Sequence, residues 1–212
     1  MIGRRLLLGG LAAASCRSAG ATSQVPAPDT LAFHILRKAE TIGEHTLTFT
    51  RTANDLTVEV AVDIVVGIGP IAFFRYRHRA TERRSAGRVT AVDSETNDDG
   101  TPHRMTARRE DAGLVVEGSR ASRYTAPPRS LPGTHWDRAM LDAPFINTED
   151  GRLMHPTVTP DGMHTIDVTG GAVEAQCYKL RGDCDLDTYY DAAWAGLQFI
   201  ARDGSQIRYV RA

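Results

Sequence analysis

The chain has 212 residues with 25 Lys plus Arg against 26 Asp plus Glu, a formal net charge of −1, and 42 % hydrophobic residues. That length holds one domain with a sizeable core, and the near-neutral balance without a basic block excludes a nucleic-acid partner of the phosphate-binding kind. Of the 25 basic residues only Lys38 and Lys179 are lysine, and the arginines are spread among acids along the chain.

The first fifteen residues set Arg4 and Arg5 before Leu6-Leu7-Leu8 and a Gly/Ala stretch to Ala14. A basic start, a short apolar segment and small residues after it are the layout of a bacterial export signal, and the segment is too short to span a bilayer. The expected location of the mature protein is therefore periplasmic or secreted. Ala19-Gly20-Ala21 offers cleavage after Ala21, giving a signal over 1–21, a Pro26/Pro28 tether over 22–30 and a domain over 31–212. Cleavage before Cys16 is the alternative, and only a lipidated Cys16 predicts membrane contact; Ala13-Ala14-Ser15 lacks the Leu expected three residues before such a cysteine. Gly3-Arg4-Arg5-Leu6-Leu7-Leu8 also resembles a twin-arginine signal, which implies export after folding. Loss of Arg4, Arg5 and Arg17 with the signal moves the net charge from −1 to −4.

From residue 31 the dominant signal is apolar alternation of period two. Leu56, Val58, Val60, Val62, Ile64 and Val66 alternate with mostly polar residues, which predicts a long half-buried strand. After a turn over Gly67 to Pro70, Phe74, Tyr76, His78 and Ala80 share one face and Arg75, Arg77, Arg79 and Thr81 the other. Further strands are expected at 31–38, 44–50, 88–96, 103–109, 114–117, 152–159, 172–181, 185–190, 195–202 and 206–211. Turn signals separate them at Asn54-Asp55, Asp99-Gly100, Asp161-Gly162, Gly170-Gly171, Gly182-Asp183 and Asp203-Gly204. Strands this closely spaced pair antiparallel, so the fold class is mainly β: one large curved antiparallel sheet, an open or closed barrel. Segments 74–109 and 184–211 read as two similar three-stranded meanders.

One segment breaks the alternation. Thr134 is placed as an N-cap with Asp137 three residues on, Trp136, Met140 and Leu141 share a helical face, and Pro144 ends the run. The expectation is a short helix of about two turns packed at an opening of the sheet. Trp136 and Met140 read there as core plugs or as a ligand gate.

Chemistry-bearing motifs are sparse. The seven histidines form no His-x-His or His-Glu-x-x-His pair, so no metal site is predicted. Asp183, Asp185, Asp187 and Asp191 lack the Gly and terminal Glu of a calcium loop and are expected as an outward acidic row opposite arginines such as Arg75, Arg77 and Arg79. No nucleophile elbow, Walker-type loop or dinucleotide fingerprint appears, so neither cofactor nor catalytic residue is assigned. With a hairpin turn at Gly182-Asp183, Cys177 would oppose Thr188 and lie out of register with Cys184, which predicts free thiols.

His78 stands out because an imidazole on an apolar strand face needs a partner. It is either a satisfied core histidine or part of a ligand site on the concave face. The candidate ligand-binding residues are Phe74, Tyr76, His78, His135, Trp136 and Asn147.

Phe33-His34-Ile35-Leu36 with Ile42-Gly43-Glu44-His45, Asp99-Gly100-Thr101-Pro102, Thr134-His135-Trp136 with Ile146-Asn147-Thr148, and the closing segment Gly196-Leu197 to Arg211 together carry a resemblance. The chain resembles a family of uncharacterised exported proteobacterial proteins, defined only as a domain of unknown function. More distantly it is similar to the half-barrel carriers of bacterial lipoproteins, which hold acyl chains in an apolar concavity capped by helices; this chain departs from them in having one short predicted helix. The long alternating strands and the helical cap suggest an envelope binding or carrier module for an apolar or lipid-like ligand. The alternatives are an envelope structural or assembly factor with a filled interior, and a hydrolase using His135 or His78.

Overall fold

The computed structural model describes residues 29–68 and 71–212; the expected export signal and Cys16 lie outside them. The chain first lays down eight antiparallel strands: β1 (Thr30–Arg37), β2 (Glu40–Arg51), β3 (Asp55–Ile68), β4 (Ile71–Ser85), β5 (Arg88–Asp98), β6 (Thr101–Glu110), β7 (Gly113–Gly118) and β8 (Ala121–Thr125). A connector over 126–156 carries a 3-10 turn (Arg138–Asp142) and two short paired strands, β9 (Phe145–Ile146) and β10 (Leu153–Met154). Five more strands follow: β11 (Thr157–Val168), β12 (Gly171–Arg181), β13 (Leu186–Tyr190), β14 (Trp194–Ile200) and β15 (Gln206–Arg211).

Thirteen of these strands form one sheet in the order β11-β12-β13-β14-β15-β1-β2-β3-β4-β5-β6-β7-β8. The β15–β1 pair, with Phe33 opposite Arg211 and Arg37 opposite Ile207, joins the two runs, and the sheet is an open barrel with edges at β8 and β11. Since the connector starts at one edge strand and ends at the other, it must cross the open side. Its contacts trace that crossing: Tyr124 on β8 donates to the Gly151 carbonyl, the Ser94 hydroxyl of β5 to the Thr148 carbonyl, and Tyr190 on β13 to the His135 carbonyl. We call it the strap.

Alternation places the core as the sequence predicts. Leu56, Val58, Val60 and Val62 of β3 are buried together with Phe33 and Ile35 of β1 and Leu47 and Phe49 of β2. The strap fills one end of this concave face with Trp136, Met140, Leu141 and Phe145, while Ile146 completes a second cluster with Val92, Met105 and Val116. Fully burying each such side chain is worth about 1.5–3 kcal/mol, so the strap is part of the core.

The inner row of β4 continues beyond Ala80 with Glu82 and Arg84, both buried. Arg84 donates to Glu82 Oε1 at 2.5 Å and to Asp137 Oδ2 at 2.6 Å, and its guanidinium lies 4.4 Å from the Trp136 ring centroid. Glu82 Oε2 accepts from the Thr134 hydroxyl and from Trp136 Nε1, each at 3.2 Å. Charged groups pay heavily for leaving water unless paired and hydrogen-bonded, and each member of this set has strong partners. Burial opposes the charge of Arg84, but the two carboxylates outweigh it and hold the guanidinium above its usual range.

This network explains why the expected helix does not form. The Thr134 hydroxyl is committed to Glu82, and His135 adopts φ 64, a left-handed conformation that breaks a helix at its start. The N-cap moves to Asp137, which accepts from the Ala139 amide at 3.0 Å, and only the 3-10 turn follows.

Three other expectations are corrected. The strand placed at 152–159 is instead β11 at 157–168, and Asp161-Gly162 is a bulge within it, where the register shifts between Pro160 and Met163. A bulge bends its strand, and the far end of β11 returns to β15, where the Thr169 amide donates to the Arg211 carbonyl and Arg208 pairs with Asp167. The acidic residues form no row opposite Arg75, Arg77 and Arg79: Asp187 pairs with Arg181 and Asp191 with Arg211, while Arg77 and Arg79 share Asp63 on the neighbouring β3. Cross-strand neighbours reach a guanidinium before distant strands do. Finally, Cys177 opposes Tyr189, one residue from the expected Thr188, because the β12–β13 loop spans residues 182–185; both Cys177 and Cys184 are free thiols.

Candidate functional site

The strap covers only part of the trough. Beyond it the inner row of β3 passes from buried Val58 to half-buried Ile64 and Val66, and that end of the concave face is a cavity of about 910 Å³. Its walls are Val60, Val62, Ile64 and Val66 of β3, Phe74 and Tyr76 of β4, Leu197 and Phe199 of β14, and Ile207 of β15. This size is at the upper end of the roughly 300–1,000 Å³ typical of small-molecule sites.

Five of the six candidate residues line it: Phe74, Tyr76, His78, His135 and Asn147. Trp136 does not. At 2 % exposure it points from the strap into the core, edge-on to Phe49 with ring centroids 5.5 Å apart, its indole N–H held by Glu82. The helical face that grouped Trp136 with a gate does not exist, and the ring turns into the core.

His78 is the satisfied member of the histidine set. Its Nδ1 is 2.8 Å from Thr96 Oγ1 and its Nε2 3.5 Å from Thr148 Oγ1, so it links the sheet to the strap. Burial, with a smaller push from Arg79, lowers its pKa to about 4. His135 differs. Its ring stacks on Trp194 at 5.4 Å and 20°, its Nδ1 is buried without a partner, and its pKa is lowered to about 4 by burial. The Tyr190 hydroxyl, 2.7 Å from the His135 carbonyl, holds the left-handed backbone that puts the ring there. Asn147 turns its side-chain oxygen to the Glu149 amide at 2.9 Å, which fixes the strap as it leaves the cavity.

Sequence reasoning missed His45. It follows the inward alternation of β2 with Leu47 and Phe49, the same signal that exposed His78, and it opposes Val62 across β3. His45 is 6 % exposed, faces the indole of Trp194 at 5.2 Å and Tyr209 at 5.7 Å, and neither ring nitrogen has a hydrogen-bond partner. Burial and then the nearness of His135 and His78 lower its pKa to about 3. The cavity floor is thus uncharged at neutral pH. Burial also raises the Tyr76 and Tyr209 phenols well above their usual value, so both keep their protons.

Charge is confined to the rim. On one side Arg37 hydrogen-bonds Asp203 and Ser205, with exposed Arg202 beside them; on the other stand Asp98 and Glu149, the latter raised above its usual range by burial and by Asp150 and Asp98. Folding also assembles two possible metal-ligand groups that spacing along the chain did not show, Asp98/His103/Glu149 and Asp161/His164/Cys177. Each already contains a cationic neighbour: Arg120 Nη2 is 3.5 Å from His103 Nε2, and Lys179 is 2.8 Å from Asp161. A bound cation would have to displace it.

An open antiparallel barrel, strapped across one end and hollow at the other, places the chain among β-barrel-like proteins. The chain belongs to the family described as domain of unknown function DUF6134, whose model matches residues 33–212. Among solved structures it is similar to the crystal structure of a beta-barrel-like protein of domain of unknown function DUF1849 from Brucella abortus, with a TM-score of 0.58 and 12 % identity over 86 % of this chain and 94 % of that one. At that identity the likeness shows the fold alone. No curated protein matches the chain.

Proposed function

We propose that the protein is an exported binding or carrier module for an apolar, lipid-like small molecule. The observation that carries this is the unequal filling of the concave face. The strap supplies large apolar side chains to one end, while at the other the aliphatic rows of β3, β14 and β15 face a cavity of about 910 Å³. Apolar surface gathered in a concavity with a few polar groups is the usual form of a small-molecule site. The export half of the proposal rests on Arg4, Arg5 and the apolar segment that follows them.

A purely structural role predicts a filled interior, which holds for the strapped end only. The hydrolase alternative needs His78 or His135 oriented by an acid, and among the described residues no carboxylate hydrogen-bonds either ring. The binding reading is tested by native mass spectrometry of protein purified gently from its own source, followed by solvent extraction. Expected is a released apolar species in stoichiometric amount. Protein that carries none and fails to take up the neutral probe N-phenyl-1-naphthylamine overturns the reading.

A further inference from the structure

We infer that the end of the ligand buried at the cavity floor is an uncharged oxygen group, an alcohol hydroxyl above all, so that the cavity takes a neutral amphiphile and rejects the matching carboxylate. This deepens the binding reading above and rests on it. The floor is built by His45 and His135, which flank the Trp194 indole at 5.2 and 5.4 Å. Both nitrogens of His45 and Nδ1 of His135 are buried without a hydrogen-bond partner, and the side chains of Tyr76 and Tyr209 line the same cavity. A buried polar group left unpaired costs about 1–3 kcal/mol, so a cluster of them in one wall is an unmet demand for hydrogen bonds.

The kind of partner follows from the donor and acceptor inventory. A neutral imidazole carries one N–H donor and one lone pair, and a phenol both donates and accepts. A hydroxyl group answers both needs; an ester or ketone oxygen answers the donors only. A carboxylate only accepts, and the floor offers it no cation. The guanidiniums of the cavity stand at the rim, where Arg37 is already bound to Asp203 and Ser205, while Asp98 and Glu149 face the Tyr76 side and would repel an anion. Burying a charge without a partner is far more costly than burying a hydroxyl that gains two hydrogen bonds.

The test uses the full domain at pH 7.5 with N-phenyl-1-naphthylamine as a neutral reporter of cavity occupancy, displaced in parallel by 1-dodecanol and by dodecanoate. The expected result is that the alcohol displaces the reporter at a concentration about tenfold or more below that needed for the carboxylate, the scale of one hydrogen bond set against an unpaired charge. Equal potency, or a stronger carboxylate, overturns the inference while leaving the binding reading intact. Failure of the reporter and of the alcohol to bind at all removes both. In addition, His135→Leu is expected to weaken the alcohol about tenfold relative to wild type, whereas His135→Asn, which keeps a donor and an acceptor and tolerates φ 64, retains most of the preference. If both variants are folded and bind the alcohol like wild type, the floor does not read the hydroxyl.

Discussion

Replacing Arg84 with methionine separates the two carboxylates of the strap network from their cation. Arg84 contributes the 2.5 Å bond to Glu82, the 2.6 Å bond to Asp137 and the cation over Trp136, and its side chain is only 3 % exposed. Methionine restores much of the volume but none of the charge, so Glu82 retains Thr134 and Trp136 as donors, and Asp137 retains the Ala139 amide. Breaking a buried pair by removing one partner costs about 3–5 kcal/mol, a large part of the about 5–15 kcal/mol that holds a typical domain together. In a domain of this size each kcal/mol moves the melting temperature by about 2–4 °C, so the expected fall is roughly 6–20 °C. Urea unfolding followed by tryptophan fluorescence gives the free energy directly. The neutral replacement Glu82→Met in the Arg84→Met background should recover part of the loss, because it removes one of the stranded charges. A cost below about 1 kcal/mol for Arg84→Met would refute the idea that this network pins the strap, since that is the range of an exposed ion pair.

The buried histidines predict acid sensitivity. His45, His78 and His135 have folded-state pKa values near 3, 4 and 4, below the usual 6.5, so the unfolded chain binds more protons than the folded one between those values. Stability should therefore fall as pH drops below about 6.5, by about 2 kcal/mol per histidine at pH 5, and urea midpoints flat from pH 7 to 5 would contradict it. Filling the cavity from its wall with Ile64→Trp should abolish uptake of N-phenyl-1-naphthylamine with little change in melting temperature; undiminished uptake would place the binding surface elsewhere. Gly118→Ala puts a Cβ 2.1 Å from the Asp150 carbonyl, so it should loosen the strap at β7 and speed proteolytic nicking within 126–156, while wild-type resistance would show that the contact yields freely. Burial of Cys177 and partial burial of Cys184 push both thiols up to about 11, so alkylation at pH 8 should be slow until denaturant is added; rapid labelling of the folded protein would argue against that shielding.

Much of the sheet is legible because a strand with one wet face writes its geometry as period two. The β3 row from Leu56 to Val66 and the β4 row from Phe74 to Ala80 are read directly, and with them most of the cavity wall. The same rule stops short at Glu82 and Arg84, where inward residues are charged. Their partners Thr134, Trp136 and Asp137 lie about fifty residues away, so no local pattern announces that these charges are neutralised indoors. The helix expected to begin at Thr134 fails for the same reason: its capping hydroxyl is claimed by a strand distant in sequence. Asp161-Gly162 carries the residues of a turn but forms a bulge, because those residues suit either and pairing with β12 decides. His45 shared its signal with His78 and was visible in principle on the inward row of β2. Its lack of a partner was not, since that depends on Phe33, Trp194 and Tyr209 from three other strands.

The pairing of β1 with β15 governs the order in which this protein is built. The strands that join its two runs are separated by most of the described chain, so the centre of the sheet cannot close until β15 is free to pair with β1. Until then β1 and β14 are both unguarded edges, and each nascent run exposes a surface that a neighbouring chain can also read. Contacts this distant in sequence make for slow folding. The seam that gives the trough its width is thus also the step at which two copies would most readily exchange halves.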